Sequence, residues 1–404
     1  MAPQPSLLLH PLVIASGVWG TVGILYALHF SDWLIYSTSQ AVEMIELILF
    51  PVVAACLLCS AARLYFGMDR RPVLGNTPAQ IERFKHRLDT LFRIWAAISV
   101  VEIIASGGLP IIWLVTAPAK AYADFGIPSI HGFANSMLLA VTTAHCAMFL
   151  ITREKRHRNY VLFAMVWSVL VISRSMTLMY ILQFSVLFLR LRPVNVKVLF
   201  RVGGGLLLFV LLFGFVGDLR QKNTGQVFRD LARPSERYPV WAPPTLLWGY
   251  IYAATPLNNL LNTTALTAPD YDFTLPNSSA ILFPSVLRKA IYGGLASQET
   301  NGTLVVATFT AATAYVSIYE DLGFYAIVGF SFVTALITNL YWYRRDLRGI
   351  LIFTFLCGSL ILTLFFNNFF ALPVIMQVVW FTYFTARPMV FRRNVVRLIE
   401  AKSS

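Results

Sequence analysis

Arg174 and Arg220 have the side-chain type and the position expected of a phosphate-binding site. Arg174 separates two short apolar runs, and Arg220 follows a longer apolar run in the sequence Asp218-Leu-Arg220. Guanidinium groups bind phosphate oxygens in pairs, and an arginine at membrane depth is costly unless it has a task. We therefore predict that both arginines bind a diphosphate, with Arg288 and Lys289 as a third candidate. The alternative is that each arginine pairs with an acid such as Asp218 and stabilises a loop.

Three acids and one histidine are candidates for taking the proton of a hydroxyl group. Glu102 lies in an apolar run, where a carboxylate is costly unless it is paired or hydrated. Its alternative role is to pack beside an arginine. Glu320 and Asp321 precede another apolar run, and acids at a helix N-terminus have a structural explanation, because the helix dipole stabilises them. His131 is the fourth candidate for general base.

Tyr250, Asn258 and Asn259 offer an aromatic face and two amide groups in a single short stretch. Such groups suit sugar rings, so we predict that this stretch binds substrate. The HExxH, P-loop and nucleophile-elbow patterns do not occur in the sequence. We accordingly predict no metal ligands and no cofactor.

The elements that must position these residues follow from the distribution of positive charge. The chain is 57% hydrophobic and 13% charged, which is typical of a membrane protein. Lys and Arg collect in cytoplasmic loops near the ends of spans, so the net charge of +13 indicates a cytoplasmic face and not nucleic-acid binding. Of the 32 Lys and Arg residues, 23 lie in five clusters, at 63–93, 153–158, 190–201, 344–348 and 387–402.

About ten segments are long and apolar enough to span a membrane, for which a helix needs roughly 20 residues. This number places every basic cluster and both termini in the cytoplasm. We therefore predict an all-α, polytopic inner-membrane protein with one large periplasmic region. The predicted spans are 7–28, 41–66, 91–106, 133–151, 160–173, 175–190, 198–216, 322–343, 349–366 and 370–386.

Residues 160–190 are predicted to form two short spans and not one helix. A single helix would place the basic clusters at 153–158 and 190–201 on opposite sides of the membrane. Two helices of about 14 residues each reach only about 21 Å. Arg174, at their apex, would then be held at the depth of the outer leaflet.

The spans divide the chain into three predicted regions. Residues 1–216 form an N-terminal membrane bundle of about seven spans, and residues 321–404 form a bundle of about three spans with a basic cytoplasmic tail. Residues 217–320 form the periplasmic region. Within it, 245–262 and 303–319 are apolar but rich in Tyr, Thr and Asn, and we predict interfacial or re-entrant helices there. The alternative is that both segments span the membrane.

Several stretches together resemble the oligosaccharide repeat-unit polymerases, the Wzy-type O-antigen polymerase family of the bacterial envelope. The resemblance is diffuse over most of the chain, and it depends on the order and spacing of short motifs. These motifs are Glu102 with Gly107-Gly-Leu-Pro110, Gly126-Ile-Pro with His131, Ser173-Arg174, Tyr250 to Leu260, and Asn301 to Thr308 leading to Tyr319-Glu-Asp-Leu-Gly323.

The resemblance implies a metal-independent, inverting glycosyltransferase of the inner membrane that acts at its periplasmic face. Such an enzyme transfers a growing glycan from undecaprenyl diphosphate to the next lipid-linked repeat unit. The implied partners are this donor and acceptor, membrane lipid and a chain-length regulator protein. The sequence departs from the family at Glu320-Asp321, where the family more often has a single acid. Which of the two acids matters is left open.

Two alternatives remain. An O-antigen ligase would use the same chemistry on a lipid A-core acceptor, but it predicts a catalytic histidine in the long external loop, and His131 lies elsewhere. A flippase or exporter of lipid-linked oligosaccharide would not be an enzyme. It predicts internal repeats, and the sequence has none.

Overall fold

The computed structural model of the protein describes residues 6–66, 78–117, 119–121, 124–192, 231–242, 244–292 and 301–385, with isolated residues at 196, 200, 203–205 and 389. These residues form helices and connecting loops, and an isolated β-bridge joins Ser31 to Pro234. The prediction of an all-α protein is therefore confirmed for the described part of the chain.

The helices are numbered here in chain order over the described residues. They are α1 Pro11–Leu28, α2 Thr38–Phe66, α3 Pro78–Ser106, α4 Pro110–Thr116, α5 Ile130–Thr152, α6 Lys155–Leu170, α7 Arg174–Leu191, α8 Pro244–Leu266, α9 Pro276–Ser279, α10 Ser285–Tyr292, α11 Ala314–Trp342, α12 Leu347–Leu362 and α13 Leu372–Phe384. Short 3-10 helices occur at Leu7–Leu9 and Ala280–Leu282.

Five helical stretches of the described chain are long and apolar enough to cross a membrane, namely α1, α2, α3 with α4, α5 and α11. Three further apolar helices, α7, α12 and α13, are shorter. Large apolar side chains such as Ile24, Phe50, Leu57 and Ile104 are more than half exposed on these helices, as expected of surfaces that face lipid. The predicted span 198–216 lies largely outside the described residues, so the count of ten spans stays a prediction.

Residues 160–190 form two helices, as the charge argument predicted. Helix α6 ends at Leu170, and α7 begins at Arg174. The connection turns at Ile172, which has a left-handed backbone (φ 55°), and the Ser173 N–H donates to the Ser168 carbonyl over 2.9 Å.

Helix α5 lies at the centre of the larger packing cluster. In its most apolar stretch of 18 residues 83% is buried, compared with 28% in α1. It packs against α3, α6, α7 and α13, while α11 packs against α2. Helices from the start and the end of the chain therefore pack against each other, while the division into an N-terminal and a C-terminal bundle stays a prediction. A second cluster joins α1, α2, α8 and α11.

The structure describes the two apolar segments of the predicted periplasmic region, and whether they are interfacial or re-entrant helices or span the membrane stays a prediction. Residues 244–266 form the single helix α8, whose buried face packs against α1 and α2. Residues 303–319 divide into irregular chain up to Thr313 and the first turns of α11. The domain boundary placed between 320 and 321 falls inside α11, close to a break at Gly323 (φ 71°, ψ −158°). Only glycine adopts this backbone readily.

Four of the five basic clusters meet at one end of the bundle, which we call the basic end. The Arg63 guanidinium lies 3.7 Å from the centre of the Tyr343 ring, and Lys85 Nζ lies 3.3 Å from Glu154 Oε1. Arg190 Nη2 donates to the Arg344 carbonyl over 2.8 Å. These contacts link the clusters at 63–93, 153–158, 190–201 and 344–348. The fifth cluster, 387–402, lies outside the described residues.

Arginines at the basic end also cap helices. Arg192 Nη2 donates to the Leu150 carbonyl in the last turn of α5 (2.6 Å), and Arg190 Nη2 donates to the Trp342 carbonyl at the end of α11 (2.7 Å). Arg87 Nη1 donates to the Tyr383 carbonyl near the end of α13 (2.6 Å). Cations are favoured at helix C-termini because the last carbonyls are unpaired and carry partial negative charge. The same charges that predict topology therefore also stabilise helix ends.

Candidate functional site

Glu102 and His131, two of the predicted general bases, are in direct contact. Glu102 lies in the penultimate turn of α3, and His131 lies in the first turn of α5. Nδ1 of His131 is 3.2 Å from both carboxylate oxygens of Glu102. Glu102 is 1% exposed, while the His131 side chain is 30% exposed. The pair lies at the end of the bundle opposite the basic end, because α3 begins and α5 ends at the basic end.

The connection before α5 brings His131 to Glu102. The Gly126 N–H donates to Ser106 Oγ over 2.9 Å, and the Ile127 N–H donates to Glu102 Oε1 over 3.2 Å. Gly126 has a left-handed backbone (φ 97°), and a Cβ there would lie 2.5 Å from Cγ and Nδ1 of His131. A residue other than glycine at 126 would therefore collide with the imidazole that contacts Glu102.

The contact with Glu102 defines how His131 can react. An ionised carboxylate only accepts hydrogen bonds, so the shared hydrogen belongs to Nδ1 of His131. Nε2 then carries the lone pair, and within the described part of the chain it has no hydrogen-bond partner. The His131 ring packs against Phe125 in a T-shaped arrangement, with centroids 5.4 Å apart. A partly exposed imidazole, oriented by a buried acid, is suited to accept a proton from a hydroxyl group.

Lys120 lies near this pair, and our sequence analysis did not place it in the site. Its ammonium group donates to the carbonyl of Ser106, one helical turn beyond Glu102. It also lies 4.1 Å from the centre of the buried Trp113 ring. The side chain is otherwise exposed. Its position outside the basic clusters was a signal that could have identified it.

Asp321 is buried and fully engaged in holding a neighbouring segment. Its carboxylate accepts the N–H groups of Asn277 and Ser278, both at 2.9 Å, and the Ser278 hydroxyl at 2.5 Å. We expected Glu320 and Asp321 just before a span, and both lie in the part of α11 that precedes the break at Gly323. Asp321 also caps the start of α9. A role as general base stays a prediction for either acid.

The segment that Asp321 holds contains Asp270-Tyr-Asp272, an acidic pair with DxD spacing that our sequence analysis overlooked. The Asp270 N–H donates to the Glu320 carbonyl (2.7 Å), and the Asp272 N–H donates to the Asp321 carbonyl (3.0 Å). The Thr274 N–H and hydroxyl hold the pKa of the Asp272 carboxyl below its usual range. Among the described residues no group of three or more His, Cys, Asp and Glu side chains could hold a metal ion.

The predicted sugar-binding residues of α8 hold irregular backbone. The amide of Asn258 donates to the Trp33 carbonyl (2.8 Å) and accepts the Tyr26 hydroxyl (2.8 Å). The Tyr250 hydroxyl accepts the Phe30 N–H over 2.9 Å. The side chains of Tyr250, Asn258 and Asn259 are all buried. The amide of Asn259 likewise bonds to the backbone of Val305, Phe309 and Ala311. Their role in binding substrate stays a prediction.

The predicted arginine site is described only in part. Arg174 begins α7 at the same end of the bundle as His131, but its side chain lies outside the described residues, as does the whole of Arg220. The side chain of Lys289 is also outside them. Arg288 lies on the short helix α10, and its Nη2 donates to the Phe283 carbonyl over 3.4 Å.

Comparison with known proteins adds no family to these observations. No protein-family model, curated protein or solved structure matches the chain. The resemblance to the repeat-unit polymerases therefore stays a prediction.

Proposed function

We propose that the protein is a membrane-embedded glycosyltransferase that polymerises oligosaccharide repeat units carried on undecaprenyl diphosphate. It would act at the periplasmic face of the bacterial inner membrane, in the biosynthesis of a polysaccharide such as the O-antigen of lipopolysaccharide. The single observation that carries this proposal is the contact between Glu102 and His131. It pairs two of the residues through which the sequence resembles that family, and these residues are 29 positions apart.

In the proposed reaction His131 acts as the general base. The hydroxyl of the acceptor repeat unit gives its proton to Nε2 of His131 while its oxygen attacks the anomeric carbon of the donor glycan. The bond between that carbon and the diphosphate breaks, and undecaprenyl diphosphate leaves with the electron pair. Glu102 orients the imidazole and stabilises the imidazolium that forms, as an acid beside a catalytic histidine does in other enzymes.

Negative charge on the departing diphosphate is the second requirement of the reaction. Arg174, Arg220 and Lys120 are the cations that we assign to it. Lys120 is supported because its exposed side chain contacts the Ser106 carbonyl, one helical turn beyond Glu102. Arg174 is supported by its backbone position at the end of the bundle opposite the basic end.

The proposal is tested with purified protein in detergent. Given lipid-diphosphate-linked repeat units, the protein should produce a ladder of longer lipid-linked glycans without nucleotide sugar or divalent metal, because the donor is already activated. Glu102→Gln and His131→Gln should each lower the rate by about 10²- to 10⁴-fold. Glu82→Gln and His86→Gln are matched controls, since both residues are exposed on α3 toward the basic end.

The same experiment separates the alternatives. Full ladders in both Glu102→Gln and His131→Gln would remove the pair from the chemistry. If folded protein left the length of authentic substrates unchanged, the polymerase proposal would fail. Movement of the lipid-linked glycan across a liposome bilayer would then favour a flippase, and transfer to a lipid A-core acceptor would favour a ligase.

A further inference from the structure

A second pair of histidines, His145 and His157, lies buried toward the basic end. His145 is on α5, and His157 is in the first turn of α6. Their Nδ1 atoms are 2.8 Å apart, and the two residues are 1% and 2% exposed. The His145 ring also stacks on Tyr160, with centroids 4.1 Å apart and planes 8° from parallel. The proposed reaction uses neither histidine.

The distance between the two Nδ1 atoms limits the protons that the pair can hold. A hydrogen bond at 2.8 Å requires an N–H on one ring and a lone pair on the other. The neutral pair and the singly protonated pair both satisfy this requirement. The doubly protonated pair does not, because two N–H groups and two positive charges would face each other in a buried place.

Charged groups from two other helices surround the pair. Glu154, which precedes α6, lies with Oε2 3.5 Å from Nε2 of His157, and its Oε1 contacts Lys85 of α3 at 3.3 Å. Arg156 of α6 pairs with Asp89 of α3 at 2.6 Å. Arg192, which directly follows α7, is bonded to the Leu150 carbonyl of α5. Glu154 is the acid nearest the pair and favours a positive charge on His157.

Both Nε2 atoms are buried, and neither makes a hydrogen bond to a described residue. For His157 the contact with Glu154 is within ion-pair distance but lacks hydrogen-bond geometry. A second proton on the pair would therefore gain no new hydrogen bond from the described surroundings, while it would cost the bond between the rings.

We propose that His145 and His157 form a contact between α5 and α6 that acidification weakens, because the pair can hold only one added proton. The folded protein holds at most one added proton on the pair, whereas each histidine of the unfolded chain binds its own proton. Stability rises with pH, and therefore falls on acidification, wherever the unfolded state binds more protons than the folded state. Acidification at the basic end therefore weakens the contact between α5 and α6. Helix α5 also carries His131 at its other end.

The experiment measures how stability depends on pH between about pH 5 and 8, where unperturbed histidines titrate. Purified full-length protein in detergent is unfolded thermally and with denaturant while tryptophan fluorescence is followed. We expect the wild type to lose stability on acidification. In the double variant His145→Gln/His157→Gln, unfolding should take up at least one proton fewer than in the wild type. This weakens the pH dependence of the unfolding constant by at least a factor of ten per pH unit. His86→Gln, an exposed histidine of α3, should keep the full dependence.

A further variant guards against misfolding of the double variant. Glu154→Gln leaves both rings in place and removes the acid that favours the singly protonated pair, so the loss of stability on acidification should become steeper. The proposal is overturned if the double variant keeps the wild-type dependence, or if His86→Gln reduces it equally. It is also overturned if the double variant does not fold and Glu154→Gln leaves the dependence unchanged.

Discussion

The substitution Gly126→Ala tests whether the loop before α5 positions His131 on Glu102. An alanine Cβ at this position would lie 2.5 Å from Cγ and Nδ1 of His131. Carbon atoms pack best from about 3.5 Å, so the imidazole must withdraw by about 1 Å. The present distance from Nδ1 to each carboxylate oxygen is 3.2 Å. A shift of that size away from Glu102 would lengthen this distance to about 4.2 Å, which is no longer a hydrogen bond.

The cost follows from two effects. Losing a hydrogen bond to a charged group costs about 1.5–3 kcal/mol, and a left-handed backbone costs an L residue about 1–2 kcal/mol. The free energy of unfolding should therefore fall by up to about 5 kcal/mol, and by less if the loop relaxes. Because misplacing a catalytic group by about 1 Å can cost 10²-fold, we expect polymer formation to fall by roughly that factor.

The neighbouring glycine provides a matched control. Gly132 lies in α5 without a left-handed backbone, and an added Cβ would be 3.4 Å from Pro373 Cγ, an ordinary contact. Gly132→Ala should thus leave activity unchanged and can raise stability by up to about 1 kcal/mol, since alanine favours helix. Wild-type stability and activity in Gly126→Ala would refute the argument that this glycine positions His131.

Three other substitutions examine the segment held by α11 and the two ends of the bundle. Asp321→Asn replaces one of the two accepting oxygens with an N–H₂ group that faces a backbone N–H donor. Hydrogen exchange in 270–279 should therefore accelerate about 5- to 150-fold, equivalent to about 1–3 kcal/mol. Ser175→Cys, in a background without the four buried cysteines, should react with a membrane-impermeant thiol reagent from outside. Arg345→Cys, exposed at the basic end, should react only after the membrane is opened.

Each of these predictions has a clear contrary result. Equal exchange in wild type and Asp321→Asn would mean that the carboxylate does not hold 270–279, and Asp32→Asn, an exposed acid, provides the control. Labelling of both engineered cysteines from the same side of the membrane would contradict opposite exposure of the two ends.

The helices were the part of the fold most accessible from the sequence. Length and apolar content are local properties, so nine of the predicted spans correspond to helices among the described residues. The turn before Arg174 was also predicted, because the basic clusters on either side had to share one face. The described contacts place four of these clusters at the same end of the bundle.

The roles of individual polar residues depended on tertiary contacts. Asn258 and Asn259 have amide groups that suit a sugar as well as a backbone carbonyl, and only packing shows that loop backbone occupies them. Asp321 was expected at the start of a span, but its partners come from a segment more than 40 residues earlier in the chain.

The sequence by itself determined that this is a helical chain with long apolar segments, and it named Glu102 and His131 as candidate site residues. Only the tertiary structure decided that these two meet, that Gly126 must be glycine, and that His145 contacts His157. The physical reason is that an apolar segment becomes a buried helix because of its own length and composition, whatever the rest of the chain contains. A hydrogen bond requires two groups placed to within a few tenths of an ångström, and that placement comes from the packing of distant helices.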